Sequence, residues 1–187
     1  MDSLNRHKKI ALDLDGTLID GAASGVLANY VREHPGKAFY IVTFRTPDQS
    51  HDVAAELNDV GLSAEHFDKI ISMPPRLARD FDHDQQLRRN AALPRLDQVG
   101  PEHLLPGEVA FMQWKGFVAK KLGATVLVDD MPYLAKLGCE KFGVSLVDAA
   151  TIAPLVERCY LSTNYIRCTN DTLPRPYWAS KSAIALD

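Results

Sequence analysis

The stretch Lys8-Lys9-Ile10-Ala11-Leu12-Asp13-Leu14-Asp15-Gly16-Thr17-Leu18 decides the fold. Residues 8–14 read as a strand. Alternate strand residues share a face, which sets Asp13 and Asp15 on one side and Leu12 and Leu14 on the other. In a sheet covered on both faces those carboxylates would be buried, at a cost of several kcal/mol each if unpaired. They are therefore expected at the strand's carboxyl end, the edge at which open α/β sheets bind their ligands. A second run makes the same argument independently: Thr125-Val126-Leu127-Val128 leads straight into Asp129-Asp130 and then Met131-Pro132.

Working outward, residues 25–33 read as a short helix stopped by Pro35-Gly36, and residues 38–44 as a second strand. Pro47-Asp48 opens an amphipathic helix, with Val53, Ala54, Leu57 and Val60 at helical spacing and Gly61 as its stop. Residues 69–73 form a third strand, closed by Pro74-Pro75. Residues 115–122 make about two helical turns, residues 144–147 a further strand, and residues 155–161 a last helix. Strands alternating with helices predict an α/β fold: a Rossmann-like three-layer sandwich with a mostly parallel central sheet. The expected organisation is a core over residues 1–160, a small insertion at about 76–111 and a C-terminal tail at 161–187.

The chain has 187 residues, 21 Lys and Arg against 24 Asp and Glu, and a net charge of −3. A chain this long buries a sizeable core without disulfides or metal. The slightly acidic balance gives no basic footprint, which disfavours nucleic acid as a partner without excluding it. Cys139, Cys159 and Cys168 lack the spacing of a disulfide framework or a zinc site, and fit a reducing, cytoplasmic setting. The first residues lack the layout of a signal peptide, and no run reaches the apolar length of a membrane span.

Like charges about 4 Å apart repel by roughly 4 kcal/mol at an effective dielectric near 20, so Asp13, Asp15, Asp129 and Asp130 at one rim call for a cation. All-oxygen ligands select a hard ion. A site that keeps waters and shares a phosphate suits Mg²⁺ better than Ca²⁺.

Asp13-Leu14-Asp15-Gly16-Thr17-Leu18 resembles the first signature of the haloacid dehalogenase superfamily, most of whose members are Mg²⁺-dependent phosphohydrolases. Thr43, ending the run Tyr40-Ile41-Val42, resembles the second motif; Lys115, read as opening a helix, resembles the third; and Asp129-Asp130 resembles the fourth. The resemblance implies a phosphomonoesterase acting on a phosphate ester. Asp13 would be the nucleophile that becomes an aspartyl-phosphate, and Asp15 the general acid and base. Mg²⁺ would be held by the Asp13 carboxylate, the Asp15 backbone carbonyl, Asp129 and Asp130, the last as ligand or orienting group. Gly16 would let the backbone turn beside the phosphate, Thr43 would donate to it, and Lys115 would neutralise charge. Relatives gain selectivity from inserted caps, and only 27 residues separate Asp15 from Thr43. The site is thus expected to be open, closed by the insertion, by substrate or by a second copy in a homo-oligomer.

Phe44 and Arg45 are expected to line the substrate position. Arg45 is read equally as an anion-reaching guanidinium or a solvent-facing loop residue. Asp82-His83-Asp84 reads as the charged face of an exposed helix, and Trp114 as packing. Lys120 and Lys121 are rivals to Lys115 that fall further from the sheet edge. The alternative to an enzyme is a catalytically weak phosphate-binding or scaffold module on the same fold. A signalling receiver domain is excluded by order, because here the third strand ends in Ser72-Met73-Pro74 rather than in an acid.

Overall fold

The computed structural model describes residues 2–152. The expected last helix at 155–161, the tail, Cys159 and Cys168 lie outside the described residues. Five strands, β1 (Lys9–Leu12), β2 (Ala38–Thr43), β3 (Lys69–Ser72), β4 (Val126–Asp129) and β5 (Ser145–Asp148), form one sheet in the order β3-β2-β1-β4-β5. Every pairing is parallel. The α/β expectation is met.

Strand pleat sorts the core into two layers. Ile10, Leu12, Phe39, Ile41, Val126 and Val128 belong to one apolar cluster, together with residues of α2 (Ser24–Glu33) and α3 (Val53–Asp59). The residues between them, Ala11, Tyr40, Val42 and Leu127, belong to the other, with residues of α5 (Pro106–Leu122) and α6 (Pro132–Phe142). A short N-terminal helix, α1 (Asp2–Asn5), adds Leu4 to the first layer, and α4 (Pro75–Asn90) packs on α5.

Several elements differ from expectation. The helix opened by Pro47 is two pieces, a single turn at Pro47–Gln49 and then α3, because Ser50 turns its hydroxyl onto the Thr46 carbonyl at 2.9 Å and the chain breaks before Val53. Lys115 does not open its helix, since α5 begins nine residues earlier at Pro106. Pro106-Gly107 looks like a loop but is a helix start: proline suits the first helical position, and Glu108 accepts the Leu105 N–H at 2.9 Å as an N-terminal cap. Helices α1 and α6 are additional to the expected elements.

Residues 76–111, expected as an insertion, hold most of the sixteen-residue α4, two single turns and the start of α5. On α4 the positions facing α5 recur at helical spacing as Leu77, Phe81, Asp84 and Arg88, so half of the packed stripe is polar. Asp84 is therefore buried, not part of an exposed charged face, and accepts the Gly107 N–H at 2.6 Å. Asp82 and His83 are exposed, as expected.

Candidate active site

The register carries Asp13 to the side of Asp129. Leu12 pairs with Val128, and the Asp13 N–H donates to the Val128 carbonyl at 2.9 Å. Asp13 follows Ala11 by two, and Asp129 follows Leu127 by two, so both side chains face the α5 layer. There the fully buried Lys115 meets them, its Nζ 2.8 Å from Asp13 Oδ1 and 2.7 Å from Asp129 Oδ2. The same Nζ lies 4.0 Å from the centre of the Phe44 ring, a cation–π contact. Phe44 stacks on Phe111 at 4.1 Å, and Phe111 on Phe81 at 3.9 Å. Lys120 and Lys121 are exposed.

Asp130 closes the cluster. Ligand atoms of Asp13, Asp129 and Asp130 all lie within 4.8 Å of one another, a group of carboxylates that could hold a metal ion. The donor set fits a hard divalent cation, since the acceptors are oxygens and three negative charges face one lysine. Asp129 is fixed by the Met131 N–H at 2.8 Å, and Asp130 takes the Thr17 hydroxyl at 3.4 Å. Gly16 sits against Asp130 with φ +68°, and a Cβ there would stand 2.2 Å from Asp130 Oδ2. A residue with a side chain here would have to push the Asp130 carboxylate aside. Burial, the largest influence, pushes the Asp13 carboxyl up to about 7, with Lys115 pulling against the rise and Asp129 adding to it. Burial and then Asp129 likewise raise Asp130.

Main chain sets how closely α5, which carries Lys115, approaches α6. A Cβ on Gly116, next to Lys115, would meet the Gly138 carbonyl carbon of α6 at 2.2 Å, and one on Gly138 would meet the Gln113 carbonyl oxygen at 2.6 Å. The two helices touch backbone to backbone.

Asp15 stands apart from the other acids. Strand pleat would set it beside Asp13, but β1 ends at Leu12 and the chain turns, with the Leu18 and Ile19 N–H groups donating to the Leu14 carbonyl. The Asp15 side chain is 51% exposed and lies in the fork of Arg45, with Nη2 to Oδ1 at 2.6 Å and Nε to Oδ2 at 3.0 Å. The third nitrogen, Nη1, donates to Glu56 Oε2 at 2.6 Å. Arg45 is thus engaged by two carboxylates, its side chain largely covered. The Asp15 hydrogen bonds, against burial and with help from Glu56, raise its pKa and secure its charge. Thr43, fully buried, accepts the Arg45 N–H at 3.2 Å. Glu56 was missed because nothing in its local sequence marks it; only its place one turn into α3, between the buried Val53 and Leu57, aims it at Arg45.

No protein-family model matches the chain, and no curated protein matches it. A solved structure similar to it is the N-terminal part of a Bacteroides fragilis protein containing a phosphatase domain, complexed with Mg. The two are 13% identical, with a TM-score of 0.45, over 80% of this chain and 39% of that one. This chain therefore spans about two fifths of that neighbour's length. Among the described residues no helix is long and apolar enough to cross a membrane.

Proposed function

We propose that this chain is a Mg²⁺-dependent phosphomonoesterase of the haloacid dehalogenase type, with Asp13 as nucleophile. The observation that carries the reading is Lys115 Nζ, fully buried and within 2.8 Å of both Asp13 and Asp129, beside a third carboxylate on Asp130. Burying three charged groups beside a half-buried fourth is costly, and perturbed carboxylates of this kind cluster at functional sites.

In this reading Asp13 attacks phosphorus: its oxygen forms the new P–O bond while the bond to the leaving oxygen breaks. Asp15 gives that oxygen its proton, then takes one from the water that cleaves the aspartyl-phosphate. Lys115 offsets negative charge on Asp13 and the phosphoryl group. The Thr43 hydroxyl, already accepting from the Arg45 N–H, keeps its own proton for a phosphoryl oxygen. Asp13, Asp129 and Asp130, with the Asp15 carbonyl, would hold Mg²⁺, which supplies charge neutralisation among the acids and polarises the phosphoryl oxygens.

The test is phosphate release from an aryl phosphate with and without Mg²⁺, beside Asp13→Asn. Metal-dependent release by the parent and none by the variant is expected; equal release by both refutes the reading. One observation favours a second reading, a phosphate-binding module without turnover: Arg45 occupies both oxygens of Asp15. That reading requires inorganic phosphate to raise the melting temperature while no ester is hydrolysed.

A further inference from the structure

An exposed aspartate on a turn ordinarily samples several rotamers, and Asp15 is half exposed. What gives it one orientation is the Arg45 fork. The backbone of Arg45 is pinned at both ends, its N–H on Thr43 Oγ1 at 3.2 Å and its carbonyl accepting the Met73 N–H at 2.8 Å. A pinned backbone still leaves a long side chain free to swing. Among the described residues the remaining restraint is Glu56, which holds Nη1 at 2.6 Å from a helix anchored in the core by Val53 and Leu57.

We propose that Glu56 is a positioning residue for the reaction, fixing Arg45 and through it the Asp15 carboxylate where the leaving oxygen must be met. The inference rests on the phosphomonoesterase reading. A carboxylate has about four lone-pair directions. The fork takes the Arg45 side of both oxygens and leaves the solvent side, where Asp15 is open, for the ester oxygen. As the P–O bond breaks, its electron pair stays on the leaving oxygen and the proton passes to it from Asp15. An acid held a fraction of an ångström or a few tens of degrees off that line transfers its proton less well.

This role has a signature that a merely structural ion pair lacks. A para-nitrophenolate leaves readily without a proton, whereas an alkoxide does not, so loss of the general acid falls on alkyl esters. The measured quantity is kcat/KM, which reports the chemistry up to loss of the alcohol, for para-nitrophenyl phosphate and benzyl phosphate under saturating Mg²⁺. General-acid assistance is generally worth 10²–10⁴-fold, and Glu56→Gln, which loosens the acid without removing it, is expected to lower the benzyl value about tenfold and the para-nitrophenyl value less than about twofold. In an Arg45→Gln background Glu56→Gln is expected to change the ratio of the two no further.

Because both esters are read on one sample, the ratio is independent of the folded fraction, and Glu56→Asp replaces Glu56→Gln if the latter does not fold. An unchanged ratio, faster turnover or additive effects of the two substitutions overturn the role of Glu56 alone. A parent that hydrolyses neither ester overturns the phosphomonoesterase reading and this inference with it.

Discussion

Arg88 Nη2 and Glu108 Oε2 are joined at 2.6 Å with side chains 5% and 0% exposed. The pair fastens the end of α4 to the start of α5. Arg88 also donates to the carbonyls of Pro94 and His103, so it gathers the loop between the two helices. Removing one partner of a buried ion pair strands the other. Arg88→Met is therefore expected to lose about 3–5 kcal/mol in urea unfolding, and the double change Arg88→Met, Glu108→Leu to recover most of that.

The same pair gives the fold a pH dependence of known sign. Burial pushes the Glu108 carboxyl up, but the hydrogen bonds from Arg88, the Leu105 N–H and Gln85 together with the Arg88 charge outweigh it and hold Glu108 below its ordinary 4.5. A carboxylate with a depressed folded-state pKa stabilises the fold fully above its unfolded value and loses that contribution as pH falls through the folded one. The stability gap between parent and Glu108→Gln is expected to be constant from pH 7 down to about 5 and to shrink below about 4.5. Urea midpoints measured across that range check it.

At Gly16, alanine would carry its Cβ into Asp130 Oδ2 at a positive φ of 68°. The colliding group is a side chain that can rotate away, so the stability cost is that of the left-handed backbone conformation, about 1–2 kcal/mol. The displaced carboxylate is the larger effect. Gly16→Ala is expected to melt close to the parent in chelator, yet to lose the Mg²⁺-induced rise in melting temperature and with it turnover.

Three carboxylates against one lysine leave the metal-free cluster under repulsion, and at Asp130, which among the described residues makes no ion pair with Lys115, the opposing influence of Asp129 outweighs that of the lysine. With EDTA present, Asp130→Asn is expected to melt above the parent. Mg²⁺ at about a hundred times its dissociation constant stabilises the parent by about 2.7 kcal/mol, which should reverse the order. Thermal melts with and without metal decide the matter.

The acids at Asp13 and Asp129 were legible because two separate strands end in carboxylates, and burial alone forces such groups to an edge. Lys115 was legible by type and order, though its helix was not, since Pro106-Gly107 carries loop and helix-start signals alike. Asp15 was misplaced because the two-residue period holds only while the strand lasts, and β1 stops at Leu12. The fork of Arg45 onto Asp15 and Glu56 could not be read from neighbours in sequence, joining as it does three elements. For the same reason α4 looked like a charged appendage: Asp84 and Arg88 face inward only because α5 offers Gly107 and Glu108 to receive them.

The glycine contact between α5 and α6 makes one crossing of the interior intolerant of any added atom. Because Gly116 and Gly138 bring main chain against main chain there, even the smallest side chain at either position has to push the helices apart, and Lys115, next to Gly116, would move with its helix.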